Sequence, residues 1–258
     1  MQQTKQNDDK IETLDYAERW MRDGLAVVKQ GDFFQSIEVD MSHVNRVLQI
    51  TSKEGIKISY PHVFVRAAAL ILSRYPVLHQ LITPTKRITP GKVDIGLSVL
   101  GRTVVAPVMV IEDAGNKVLN EIAQEVIERA PQVRKEDNEM LANSRKWGRL
   151  VPFGCVRRWV LQQIMKSVSF RRKNVGTFQV TCVPNVDHVV PFLFAMSAIL
   201  AVGGIKERAI VVDGKVEARP TAILSCCADH KVWDGVMASK FLTKLKVLLE
   251  SDELEKEF

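Results

Sequence analysis

The length, composition and charge of the chain set the first limits on its nature. Its 258 residues are 46% hydrophobic and 26% charged, as in soluble globular proteins whose single domain has a sizeable core. The first ten residues lack the apolar stretch of a secretory signal, and the longest uncharged run, residues 188–205, is too short to span a bilayer. Four cysteines show no metal-ligand or disulfide spacing, so we expect reduced thiols in a cytoplasmic protein without a bound metal.

Hydrophobic periodicity and capping residues predict a mixture of helices and strands along the chain. We expect a flexible terminus at residues 1–12 and a single domain at residues 13–258. The predicted helices cover residues 13–29, 43–51 with an N-cap at Ser42, 61–74, 116–130, 156–168 and 236–250. The predicted strands cover residues 33–39, 177–183, 195–202, 209–212 and 222–228, with further short strands between 93 and 109. Because the strands do not alternate regularly with helices, the pattern indicates an α+β fold.

The most informative segment is Asp-His-Lys-Val-Trp-Asp-Gly at residues 229–235. It places His230 after an apolar strand and just before a helix. Histidine is the side chain best suited to take up a proton near neutral pH, and a strand end held by a packed core can aim it. The residues alone leave two interpretations open: a catalytic base, or a core histidine bonded to the backbone.

The same segment resembles the His-x-x-x-Asp-Gly signature of the dihydrolipoamide acyltransferases, the core subunits of 2-oxoacid dehydrogenase complexes. Chloramphenicol acetyltransferase shares this signature. Further segments resemble the family in the same order, at residues 67–76, 94–99, 104–108, 197–205, 212–216 and 219–220. The resemblance runs from about residue 14 to about residue 250, with one departure at residues 140–174. It implies a chloramphenicol acetyltransferase-like two-layer sandwich, a mixed β-sheet with helices packed on it.

The resemblance gives roles to individual residues of the chain. His230 becomes the general base. Asp234 becomes a structural residue that pairs with an arginine, although its position also suits a helix N-cap. Thr181 occupies the position of a family serine whose hydroxyl stabilises the oxyanion, although threonine is also common in strands. Lys231 replaces the arginine that is usual at this position of the family, so the ion pairs of the turn are not predicted. Trp233 either lines a substrate channel or packs in the core.

The remaining candidate residues are weaker. Cys182 is a nucleophile in principle, but no histidine partner is indicated, so we favour a buried core cysteine. For His43, His62, His79 and His188 we favour surface or capping roles over a direct part in catalysis.

The function implied by the resemblance is acyl transfer between a coenzyme A thioester and a thiol such as dihydrolipoamide, or another small acceptor. We expect coenzyme A as the acyl-carrying substrate, no bound lipoyl group and no metal. A lipoyl or acyl carrier protein is a candidate partner, nucleic acid is not, and contact with a membrane surface is disfavoured. The implied assembly is a homotrimer with active sites between subunits. Because the chain shows no lipoyl segment and residues 249–258 are largely charged, we expect no polyhedral core. The alternative is an inactive family member that acts as a trimeric scaffold or binding protein.

One stretch departs from the family in charge as well as in length. Residues 140–186 contain no Asp or Glu but nine Lys and Arg, in a chain of net charge +6. This is either a solvated surface or a patch for an anionic partner, such as coenzyme A phosphates, an acidic carrier domain or anionic lipid.

Overall fold

The computed structural model describes residues 9–13, 32–53, 55, 57–83, 85–100, 106–150, 155–156, 159, 163, 166–193 and 196–253, with the backbone alone at 137, 138 and 140–150. The helices are α1 (Ser42–Lys53), α2 (Tyr60–Arg74), α3 (Leu119–Leu150), α4 (Val168–Val175) and α5 (Gly235–Leu249). The strands are β1 (Lys10–Thr13), β2 (Asp32–Asp40), β3 (Leu81–Ile82), β4 (Lys86–Thr89), β5 (Ile95–Ser98), β6 (Val108–Ile111), β7 (Phe178–Cys182), β8 (Ala198–Val202), β9 (Lys206–Val212) and β10 (Lys215–Asp229). A 3-10 turn, Pro76–Leu78, follows α2.

The main sheet has seven strands and is mixed. Its order is β2-β10-β8-β7-β5-β6, and β9 pairs with the first half of β10. Strand β7 runs parallel to both β5 and β8, whereas the other neighbours in this sheet are antiparallel. A smaller sheet of order β1-β4-β3 stands apart from it.

The alternation of side chains on β10 separates two faces of the main sheet. Leu224, Cys226 and Ala228 are fully buried in the hydrophobic core, and they share the inner face because successive side chains point to opposite sides of a strand. Helices α2 and α5 cover this inner face, with the same core joining helices and strands. The predicted α+β two-layer sandwich is confirmed.

Helix α2 shows why a continuous apolar pattern predicts burial. Its residues from His62 to Leu72 are all buried, because the helix lies between the sheet and its helical neighbours. The buried Arg66 guanidinium donates to the carbonyl oxygens of Ala114 and Gly115, at 3.3 and 3.0 Å. These hydrogen bonds offset the cost of burying the Arg66 charge in the core.

Several element boundaries differ from the predictions. Residues 10–12, within the segment expected to be flexible, lie in β1, where Ile11 pairs with Ile88. Thr13 is also in β1 rather than in a helix, and the rest of the helix predicted at 14–29 lies outside the described residues. Ser42 is the first helical residue of α1 rather than its N-cap, and its N–H donates to Asp40 Oδ1 at 2.8 Å.

Helix α3 extends well beyond its predicted end at residue 130. Pro131 lies inside it, although proline removes one helical hydrogen bond. Ala130 and Val133 pack against the core on either side of Pro131, and this burial offsets the lost bond. The helix predicted at 156–168 falls largely outside the described residues. Within the part of the chain that is described, no helix is both long and apolar enough to cross a membrane.

Candidate active site

The turn that carries His230 is held by the residue before it. The backbone carbonyl of Asp229 accepts from the N–H groups of Val232 and Trp233 at 2.8 and 3.0 Å, and its side-chain Oδ1 accepts from Lys231 N at 2.9 Å. The Asp229 N–H in turn donates to Ser197 O at 2.9 Å. This network fixes the main chain just beyond β10 and leaves the His230 side chain exposed to solvent.

Charged groups surround this turn. Asp229 faces Asp32 across the β10–β2 ladder, and like charges in that position repel. Loss of solvent contact, and then the facing Asp229, raise the pKa of Asp32, while Lys231 opposes that rise. Burial lowers the pKa of Arg171, and attraction to Asp229 counters this effect. Arg171 therefore belongs to the electrostatic environment of the His230 turn.

Asp234 caps the helix that follows the turn. Its Oδ1 accepts from Met237 N at 2.7 Å at the start of α5, so the capping interpretation is confirmed. Within the described residues Asp234 forms no ion pair, so the arginine pairing implied by the family resemblance stays a prediction. Asp234 thus starts the helix that packs against the sheet.

Trp233 belongs to the core rather than to a channel. Its side chain is 1% exposed and packs against Phe178 and Phe241, with ring centroids at 6.3 and 5.5 Å. Of the two open interpretations, the packed aromatic is the correct one. The buried Trp233 side chain therefore anchors the turn in the core, while His230 on the same turn is exposed to solvent.

Thr181 lies on the outer face of the sheet, opposite the face that α2 and α5 cover. It pairs with Ala201 on β8, and Ala201 pairs with Ser225 on β10, which in turn pairs with Ser36 on β2. Paired residues present their side chains on the same face, so three hydroxyls share one row across the sheet. Ser225 is fully buried, and its Oγ has no hydrogen-bond partner within the described structure.

The register keeps His230 and Thr181 far apart in one chain. His230 lies five residues beyond Ser225, which is level with Thr181, and strands rise about 3.3 Å per residue, so the separation along the sheet is roughly 16 Å. Two strand spacings, about 10 Å in all, separate them sideways. Thr181 lies near the end of β7, whereas His230 is level with the residues just before the start of β7, so a single chain does not bring the two together.

Three of the cysteines, Cys182, Cys226 and Cys227, are poorly suited to nucleophilic attack. Burial raises the pKa of Cys182 to about 12, and burial followed by the charge of Asp32 raises the pKa of Cys227 to about 11. Burial also raises the pKa of Cys226. A thiol in this state stays protonated at neutral pH, which supports the interpretation of Cys182 as a core cysteine. All four cysteines are unpaired.

The other histidines have structural partners. His62 sits in the first turn of α2, where its Nδ1 accepts from Ser59 N at 3.2 Å, and burial lowers its pKa to about 4. His43 Nδ1 lies 3.4 Å from Asp252 Oδ1, and His188 Nε2 lies 3.1 Å from Ser36 Oγ. The capping role predicted for His62 is confirmed.

His79 belongs to a buried polar network at the start of β7. Its Nε2 lies 2.7 Å from Thr177 Oγ1, which accepts from Asp94 N and donates to Asp94 O, both at 3.0 Å. Since the single hydroxyl hydrogen points to Asp94, His79 Nε2 is the donor in its own bond. Burial lowers the pKa of His79 to about 4, so the imidazole is neutral and structural.

Within the basic stretch, residues 140–186, Arg172 forms ion pairs inside the chain. Arg172 Nε donates to Asp94 Oδ2 at 2.8 Å, and its Nη1 donates to Asp9 Oδ2 at 2.8 Å. These bonds tie α4 to the start of β5 and to the N-terminal strand. Arg172 is therefore a structural residue and is less available to an external anion.

A pocket of about 740 Å³ opens between the end of α1, the start of α2 and the middle of α3. Lys57 and Arg134 bring positive charge, Ser52 and Ser59 bring hydroxyls, and Ile127 brings apolar surface. The lining also includes Gly55, Ile58, His62, Val126, Ala130 and Pro131. Such a wall suits an anion with an apolar or aromatic portion. Among the described residues, no group of three or more His, Cys, Asp or Glu side chains is arranged to bind a metal ion.

The site residues that the sequence did not predict are far from His230 along the chain and come close to it, or to the pocket, only in the folded structure. Phe33 packs its ring at 5.1 Å from the His230 ring, and the pocket residues come from three separate helices and a connection. Neither Phe33 nor Lys57 lies in a motif. The sequence did contain one indication of these contacts: Gln35 is a polar residue among the apolar inward-facing residues of β2.

The chain matches one family model over most of its length. The model is described as 2-oxoacid dehydrogenases acyltransferase (catalytic domain), and it covers residues 27–141 and 165–255. The unmatched residues 142–164 lie inside the predicted departure at 140–174.

Curated relatives are similar at modest identity. The chain is 28% identical over 225 residues to the dihydrolipoyllysine-residue acetyltransferase component of the pyruvate dehydrogenase complex of Bacillus subtilis (strain 168), covering 84% of this chain and 44% of that protein. It is 27% identical over 222 residues to the human mitochondrial dihydrolipoyllysine-residue succinyltransferase component of the 2-oxoglutarate dehydrogenase complex, covering 83% and 42%. The chain thus spans less than half the length of these relatives.

Solved structures share the fold. A probable dihydrolipoamide acetyltransferase from Listeria monocytogenes has a TM-score of 0.66 at 22% identity, covering 92% of each chain. A chloramphenicol acetyltransferase has a TM-score of 0.52 at 12% identity, covering 93% of this chain and 100% of that one. With the family model matched across both ends of the sheet, the chain belongs to the catalytic-domain family of the 2-oxoacid dehydrogenase acyltransferases.

Proposed function

We propose that the chain is an acyltransferase that moves an acyl group between a coenzyme A thioester and a thiol such as that of dihydrolipoamide. The observation that carries this proposal is the exposed imidazole of His230, held on a fixed turn in the chain of an acyltransferase family. The buried thiols leave His230 as the group best placed to begin the reaction. An acceptor thiol on a lipoyl or acyl carrier protein fits the same chemistry.

The proposed reaction moves one proton and one acyl group. The His230 imidazole takes the proton from the acceptor thiol, because a free thiol with a pKa near 8.5 is only slightly ionised at pH 7. The resulting thiolate forms a carbon–sulfur bond with the thioester carbonyl. The tetrahedral oxyanion accepts a hydrogen bond from Thr181 Oγ1. When it collapses, the bond to the coenzyme A sulfur breaks, and the imidazolium returns its proton to that sulfur.

Two chains are needed for this reaction, on our proposal. Because His230 and Thr181 lie at opposite ends of the sheet, each site would combine His230 of one chain with Thr181 of another. Closed cyclic symmetry gives every chain both roles. A homotrimer, as the family resemblance implies, would therefore hold three equivalent sites.

The pocket between α1, α2 and α3 is our candidate for the nucleotide portion of coenzyme A. Lys57 and Arg134 supply charge for phosphate groups, and Ile127, 47% exposed, supplies surface for an adenine ring. Binding there stabilises the folded chain, so the melting temperature should rise with acyl-coenzyme A concentration.

The direct test measures free thiol released from acetyl-coenzyme A in the presence of dihydrolipoamide, followed by other acyl groups. We expect turnover that requires both substrates and the folded protein. If acyl-coenzyme A raises the melting temperature but no acyl group is transferred, the chain is an inactive binding protein or scaffold, and the proposed activity is wrong.

A further inference from the structure

The edge strand β2 contacts both ends of the turn 230–235. The Phe33 ring lies 5.1 Å from the His230 ring, centroid to centroid, with the planes tilted by 55°. Two residues further along β2, Gln35 Nε2 donates to Gly235 O at 3.0 Å. Because alternate residues of a strand share a face, both contacts come from the same side of β2.

The main-chain bonds around the turn do not by themselves orient the imidazole. Asp229 fixes the backbone through the N–H groups of Lys231, Val232 and Trp233, but the exposed side chain of His230 still rotates about two bonds. Phe33 is the described aromatic ring in contact with the imidazole. A tilted aromatic pair at this distance favours particular ring directions.

Gln35 is the polar exception in an apolar row. The inward-facing residues of β2 are Phe33, Gln35, Ile37 and Val39, and an aliphatic side chain would suit the position by burial alone. Its amide instead reaches a carbonyl in the first turn of α5. This bond joins the far end of the turn to the strand that also contacts His230.

We propose that Phe33 and Gln35 are positioning residues, which together clamp the turn 230–235 and set the direction of the His230 imidazole. This inference rests on the proposed function of His230. Phe33 acts on the ring, and Gln35 keeps Gly235, and with it the turn, at a fixed distance from β2. A misplacement of about 1 Å in a reacting group can lower a rate by about 100-fold, so a loose clamp should slow turnover.

The kinetic test compares Phe33→Leu and Gln35→Met with matched controls. We expect kcat to fall by roughly 10-fold in each, while KM for acyl-coenzyme A changes by less than about 2-fold. Phe33→Tyr keeps the ring and should retain most of the parent kcat. Phe64→Leu removes the same atoms from a fully buried core site on α2, and Gln124→Met removes an exposed amide on α3; both should leave kcat unchanged.

A second readout does not depend on activity. In protein with isotope-labelled histidine, His230 resonances identified by their loss in His230→Gln should shift and broaden in Phe33→Leu and Gln35→Met but not in Phe64→Leu. Unchanged His230 resonances in both clamp variants would overturn the proposal, whatever the kinetics show. Changed resonances in a protein without turnover would instead support the clamp and contradict the proposed function.

Discussion

The two ends of the main sheet present their candidate catalytic groups in different ways. Thr181 lies within β7, which is hydrogen-bonded to β5 on one side and to β8 on the other. His230 lies beyond the last paired residue of β10, on a turn. The hydroxyl is thus placed by a ladder of backbone bonds, whereas the imidazole depends on side chains from neighbouring elements.

This difference indicates which substitutions should disturb each candidate catalytic group. A strand with partners on both sides holds its residues in register without specific side-chain help. A turn has no such ladder, so Asp229, Phe33 and Gln35 contribute the restraint. We therefore expect changes at Phe33 and Gln35 to act on the His230 end and to leave the Thr181 end unaffected.

The largest effect should come from the His230 end itself. His230→Ala should lower acyl transfer by about 10²–10⁴, because it removes the general base. The melting temperature should be close to that of the parent, since the side chain is exposed. His230→Gln is the control that preserves size, and it should be equally slow in a steady-state assay. Turnover near the parent value in either variant would remove His230 from the mechanism.

The strand that carries Thr181 should make the fold sensitive to acid, because β7 begins at the buried His79–Thr177 network. Burial lowers the pKa of His79 to about 4, whereas an unfolded histidine titrates near 6.5. Between these values the unfolded chain binds more protons, so the free energy of unfolding falls as the pH is lowered. At about 1.4 kcal/mol per pKa unit, the contribution of His79 to that loss is roughly 3 kcal/mol.

Urea unfolding at pH 7 and at pH 4 would measure this loss. His79→Asn, which cannot take up the proton, should lose less stability than the parent between the two pH values. His188→Asn, at an exposed histidine on the outer face, serves as the control and should keep the parent's pH dependence. Equal losses in the parent and in His79→Asn would show that His79 does not set the acid sensitivity.

A smaller effect is expected from the helix cap next to the His230 turn. Asp234→Ala should lower the free energy of unfolding by about 1 kcal/mol, because Met237 N loses its partner. Asp234→Asn should be nearly neutral, since asparagine caps helices as well as aspartate does. Chemical denaturation of both variants measures the difference. A large loss in Asp234→Asn would indicate that Asp234 needs its charge, as an arginine pair would require.

The sequence was sufficient for features that depend on neighbours along the chain. The strand, His230 at its end, the capping Asp234 and helix α5 follow one another within about thirty residues, and local patterns predict the position of each of them. The hairpin before them was equally local: Asp213 and Gly214 have φ values of 49° and 78°, which suit a two-residue turn.

Features that depend on strand register or distant contacts could not be predicted. The separation of Thr181 from His230 follows from the pairing of three strands, and no residue pattern specifies that register before folding. Gln35 and Gly235 are 200 positions apart. The course of α3 beyond Pro131 depends on the burial of Ala130 and Val133, which a local rule about proline does not include.

The central claim is that each active site needs His230 from one chain and Thr181 from another. The most direct test co-expresses two slow variants, His230→Ala and Thr181→Val, and measures acyl transfer by the purified mixed oligomers. In a randomly mixed cyclic assembly, about a quarter of the interfaces combine both native residues, so activity should return to about a quarter of the parent value. Activity that stays at the level of the separate variants would contradict the claim and would mean that both residues act within one chain or that one of them does not act.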